Sequence, residues 1–193
     1  MVTLTTRDRE ATETPPNENI IVHAERISAR PSSMTEYIWG ALRLGIGWIF
    51  FWAFLDKIFG LGYATTSEGA WINGGSPTNG FLEFATKGPF VDIYKGMAGN
   101  AAIDWLFMIG LLVIGLPLIL GIGVRLAALT GVAMLAFMYT AGFILPEHNP
   151  VLDEHIIYAI IMIGLIVGHG GYRLGFGRWW ANTRLVRRYP VLE

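Results

Sequence analysis

The sequence predicts an all-α integral membrane protein, a four-helix bundle with a long outer loop between its first and second helices. Three observations lead there. The 193 residues are 53% hydrophobic and only 15% charged, whereas soluble domains carry about 25% charged residues. Four long apolar stretches recur along the chain. Arginines and lysines then sort to opposite sides of those stretches.

Residues 1–33 mix Thr, Glu, Arg, Pro and Asn without helical or strand periodicity, as expected of a flexible tail. His23 there is expected to be a solvated surface histidine. No secretory leader is expected, because the first apolar run begins near residue 37. Ser33-Met34-Thr35-Glu36 has the S-x-x-E form of a capping box and marks the start of the first helix. Residues 37–61 form the first span. It carries Arg43 near its start and Asp56-Lys57 near its end, charges that cost several kcal/mol in hydrocarbon unless they snorkel, pair or face a polar interior.

Residues 63–100 are too long for a structureless link. Trp71, Phe81, Leu82, Phe84 and Phe90 within them suggest a cap lying on the bundle, with a short helix after Pro77. Residues 105–124 and 126–145 are each twenty residues without a charge. As one helix they would run roughly 60 Å, twice the bilayer core, so the chain must turn near Pro117, Gly121 and Gly123. Pro146-Glu147-His148-Asn149-Pro150 ends the third span, and Asp153-Glu154-His155 opens the fourth, which runs to about Tyr172. Gly164 and Gly168 in it have the small-residue spacing that lets helices approach closely. The basic end with Trp179-Trp180 reads as an interfacial anchor. The organisation is thus a tail over 1–33, a transmembrane domain over 34–176 and an interfacial tail over 177–193.

Four spans place both termini on one side. All eleven arginines fall on that side, with seven carboxylates, net +4; all three lysines fall on the other, with eight, net −5. The arginine excess makes the termini cytoplasmic in a multi-pass protein of the cell membrane.

Without cysteine there is no thiol redox chemistry and no Fe–S ligation by this polypeptide. No phosphate loop, dinucleotide fingerprint or zinc spacing is present, and nothing points to nucleic acid. His155 and His169 sit about 21 Å apart on one helix, and His148 and His169 belong to opposite membrane faces, so no haem is expected between them. Asp56, Lys57, Asp104, His148, Asp153, Glu154 and His155 gather at the outer end, beneath the loop. Arg43 and Lys57 share one helix face; His155, Tyr158, Met162 and His169 share another. Plain structural roles compete at each position. Asp153 and Glu154 suit a helix N-terminus, Asp56-Lys57 an interfacial pair, and Arg43 a side chain snorkelling to the headgroups. His155, a titratable imidazole beside two carboxylates, suits a proton relay. Trp48 and Trp52 suit either a quinone ring or lipid.

Leu42-Arg43-Leu44-Gly45, Phe54-Leu55-Asp56-Lys57, the loop from Trp71 through Asn73-Gly74-Gly75-Ser76-Pro77 to Thr78, Asp153-Glu154-His155-Ile156-Ile157-Tyr158 and Gly170-Gly171-Tyr172-Arg173 occur in order. Together they resemble the DoxX/DoxD family of small four-helix membrane proteins. The resemblance implies the membrane subunit of a thiosulfate:quinone oxidoreductase, working with a second subunit and with a membrane quinone as electron acceptor; a homo-oligomer is the alternative to that second subunit. Asp56, Lys57, Asp153 and His155 are then the candidate catalytic residues. Arg43, Trp52, Trp71, His148 and Tyr158 are the candidate substrate- or quinone-binding ones, and no metal site is expected. A non-catalytic scaffold or assembly subunit of a redox complex is the alternative. A small solute conduit is a third. An outer face of net −5 opposes the thiosulfate dianion, unless salt screens it or acid protonates it.

Overall fold

The computed structural model describes residues 33–142, 152–168 and 173–192. Helix α1 runs Ser33–Phe59. The connection after it holds a 3₁₀ turn at Trp71–Asn73, a π-helical turn at Phe81–Ala85 and the short helix α2, Val91–Lys95. Helices α3 (Ala101–Leu120), α4 (Val124–Ala141) and α5 (Glu154–Val167) follow. The C-terminal segment folds into two short helices, α6 (Gly177–Ala181) and α7 (Arg184–Arg188), and a last 3₁₀ turn. Among the described residues the regular structure is helical apart from one isolated bridge, Lys87 to Gly142.

Three of these helices, α1, α3 and α4, are long and apolar enough to cross a membrane. At 1.5 Å per residue, the 20 residues of α3 span about 30 Å, the thickness of the hydrocarbon core. The fourth expected span is shorter than the sequence implies. Helix α5 has 14 described residues, about 21 Å, and His169 to Tyr172 lie outside the described residues. It is nonetheless apolar, and Met162 and Leu165 on its inner side are fully buried while Ile160 and Val167 are exposed.

Helix α1 packs on α3, α3 on α4, α4 on α5, and α5 returns to α1. The core is Ile46 and Phe50 of α1, Met108, Leu111, Ile114 and Leu118 of α3, Ala127, Ala128 and Leu135 of α4, and Met162 and Leu165 of α5. Outside it, Trp48, Trp105, Ile109, Val113 and Phe137 are exposed. Such an apolar exterior is compatible with lipid contact. The tightest approach is between α1 and α3. A Cβ on Gly115 would sit 2.6 Å from the Phe51 backbone nitrogen, and one on Gly47 would sit 2.9 Å from Leu118 Cβ. The anticipated small-residue pair on α5 does something else, since Gly164 and Gly168 make room for the Trp39 ring rather than for a helix backbone.

The breakers between the middle spans act at different points. Helix α3 continues through Pro117, whose missing N–H removes one helical bond, and ends at Gly121 with φ +76°. All four of its terminal carbonyls, which have no partner within the helix, find one outside. That of Pro117 accepts from Gly121 and Ile122, and that of Leu120 accepts from Phe176 at 2.8 Å. Those of Leu118 and Ile119 accept from Arg43.

Candidate functional site

Arg43 is 0% exposed, so it does not snorkel. Its second terminal nitrogen donates to the carbonyls of Arg173 and Leu174 at 3.0 and 2.9 Å. The planar guanidinium fork thereby joins α1, the C-terminal end of α3 and the segment after α5. A cation is also favoured at a helix C-terminus, where the macrodipole is negative. The same end is held by Arg173, whose Nε donates to Glu36 Oε2. Leu174, bracketed by these contacts, sits at φ +56°, a strained backbone for a leucine.

At the opposite end, the two buried carboxylates of the long helices hold the loop. Asp56, 2% exposed, accepts from the N–H groups of Tyr63 (3.3 Å) and Ala64 (3.0 Å). Asp104 Oδ1 accepts from Ser76 Oγ, Thr78 N and Thr78 Oγ1 at 2.9, 3.1 and 2.6 Å. Two more ties run to α4: Lys87 N–H to the Ala141 carbonyl at 2.9 Å, and Tyr94 Oη with Thr140 Oγ1 at 2.6 Å. Residues 63–100 thus form a pinned cap, as expected, with Leu82 buried and Trp71 edge-on against Trp105 of α3 at 4.6 Å. Phe84 and Phe90 differ from that expectation, standing 78% and 46% exposed.

A cleft of about 670 Å³ opens beside this cap. Phe81 and Ala85 of the π-helical turn, Met138 and Tyr139 at the end of α4, and Asp153, Glu154, His155 and Ile157 at the start of α5 line it. Asp153 caps α5, its Oδ1 accepting from Ile156 N–H at 3.1 Å, while its Oδ2 lies 2.8 Å from His155 Nδ1. Burial raises the Asp153 pKa, but the bonds from His155 and Ile156 outweigh it and hold the carboxyl below the usual range. Asp153, Glu154 and His155 each offer a ligand atom within 4.8 Å of the others, though all three come from one helix start.

The sequence-predicted residues therefore divide. Asp153 and His155 meet in the cleft wall; Asp56 and Lys57 are not among the residues lining it. Lys57 instead places Nζ 5.9 Å from the centroid of Phe107 on α3. Arg43 also meets α3, so the predicted shared face of Arg43 and Lys57 is real. Trp52 lies between Trp48 and the edge of Tyr63, at 5.6 and 5.1 Å. Tyr158 packs half-buried against the core, on the same inward stripe as His155 and Met162. His148 lies outside the described residues. Tyr139 and Phe81 also line the cleft, although neither is among the sequence-predicted site residues. A lone tyrosine in the last turn of an otherwise apolar span was the available signal for Tyr139; Phe81 had none beyond its aromaticity.

No family model matches the chain, and no curated protein or solved structure matches it.

Proposed function

We propose that the chain is the membrane subunit of a quinone-linked oxidoreductase, of the thiosulfate:quinone type that its DoxX-like motifs resemble. One observation supports this most: the hydrogen-bonded His155–Asp153 pair lies, with Glu154, in the wall of a cleft whose remaining lining is mostly aromatic and aliphatic. Quinone reduction consumes two electrons and two protons. Asp153, by accepting from Nδ1–H, fixes the imidazole tautomer and leaves Nε2 to take up and deliver a proton. Phe81, Met138 and Ile157 suit the faces of a ring, and Glu154 beside them offers a route for proton exchange with water. The electrons come from the donor, two thiosulfates giving one tetrathionate, with Lys57 the candidate cation for the oxyanion and a second subunit alongside. In this reading all four helices cross the cell membrane, the loop faces outward and both termini are cytoplasmic.

The test is thiosulfate-dependent reduction of a soluble quinone by membranes carrying the protein and the partner it brings down. His155→Ala should lower the rate on the order of 100-fold, the usual worth of a positioned acid–base group. An unchanged rate removes the site. Lys57→Ala separately tests the oxyanion role, because Lys57 does not line the cleft.

A second reading, a non-catalytic scaffold, draws on the cap. Asp56 and Asp104 hold it in place, and it presents Ile72, Phe84 and Ile93 outward. Co-purification that yields a redox-active partner, with no His155-dependent chemistry, would favour that reading.

A further inference from the structure

The C-terminal segment is a folded surface rather than a loose tail. Phe176 N–H donates to the last carbonyl of α3, and Trp180 Nε1 donates to the Leu192 carbonyl at 2.7 Å. Val186 and Gly177 are buried beneath it. These ties fix its depth at the ends of α3 and α4, where spans of that length leave the hydrocarbon for the headgroups. Its outward side combines two chemistries. Arg178, Arg184, Arg187 and Arg188 are exposed, and among the described residues no carboxylate pairs with them. Trp179, 66% exposed, and Leu185, half-exposed, belong to the same two short helices. Guanidinium groups beside an indole at span ends match a layer that is anionic above and apolar below.

We infer that residues 176–189 form a binding surface selective for anionic phospholipid headgroups, with Arg184, Arg187 and Arg188 engaging the phosphates and Trp179 entering the interface. This rests on α3 and α4 crossing a bilayer and is independent of the chemistry at His155, which lies at the other end.

The full chain is reconstituted in phosphatidylcholine vesicles carrying a fixed minor fraction of a dibrominated lipid, either phosphatidylglycerol or phosphatidylcholine. The difference between wild type and Trp179→Phe isolates quenching of that indole. The brominated phosphatidylglycerol should quench it more strongly, with a preference on the order of fivefold for each guanidinium engaged. The preference should vanish in R184Q/R187Q/R188Q, persist in R184K/R187K/R188K and shrink in molar salt. His155→Ala should leave it intact. Equal quenching by both lipids in wild type overturns the inference, as does a preference that survives the glutamine substitutions. An indole quenched by neither lipid overturns it too, pointing to a protein partner on that surface. Failure of wild type to enter the vesicles would instead strike the membrane-crossing reading itself. Should the glutamine variant not fold, the salt dependence of wild type still decides.

Discussion

Arg43, Asp56 and Asp104 are buried charged side chains whose partners described above are backbone or loop groups. Each is costly to desolvate and is offset by multiple bonds, so removing one leaves buried partners unsatisfied at about 1–3 kcal/mol each. Arg43→Met should therefore destabilise the protein by about 3 kcal/mol or more, read as a drop in Tm in detergent, and Arg43→Lys should recover only part because an ammonium lacks the planar fork. Asp153 makes a different prediction. Its pKa is depressed in the folded protein, so its contribution to stability is present above the ordinary carboxylate value and disappears as pH falls through the lowered one. Wild type should thus lose stability over Asp153→Asn chiefly below about pH 4, in paired acid titrations followed by circular dichroism. A constant difference across that range would contradict the assigned cap and its hydrogen bond to His155.

At the scale of helices, the α1–α3 contact depends on two absent side chains. Gly115→Ala pushes a methyl into the Phe51 backbone, which cannot yield as a flexible side chain would. A loss of about 1–3 kcal/mol is expected. Gly45→Ala is the control, because nothing lies within 4 Å of its Cβ position, and it should be neutral or slightly stabilising. For the cap, Asp104→Ala should expose residues 63–100 to limited proteolysis while leaving the helical signal in place. The sequence revealed the helices because apolar runs and capping residues are local signals: Asp153, suited to a helix N-terminus, caps α5. It did not reveal which glycines make the close contact, since Gly47 and Gly115 are 68 positions apart and only their pairing in space gives them meaning. Nor did it reveal that Asp56 holds a loop seven and eight residues onward, because a carboxylate at a span's end suits catalysis and capping equally well.

At the scale of the whole molecule, the structure separates two ends. Around one lie Arg43, Arg173 and the folded C-terminal surface; around the other lie Asp56, Asp104, the pinned cap and the cleft at His155. Charge sorting along the sequence anticipated this division, because each residue's end follows from counting spans. The cleft was legible only in half. Asp153 and His155 are sequence neighbours, whereas Tyr139 and Phe81 arrive from elements whose docking no local pattern encodes. The proposed function requires the two ends to face different compartments. The chain has no cysteine, so Ser67→Cys in the cap and Asn182→Cys between α6 and α7 can each serve as the sole thiol for a membrane-impermeant maleimide on intact cells. A thiol at position 67 should be labelled directly and one at position 182 only after permeabilisation; labelling of both from the same side would contradict the proposed topology.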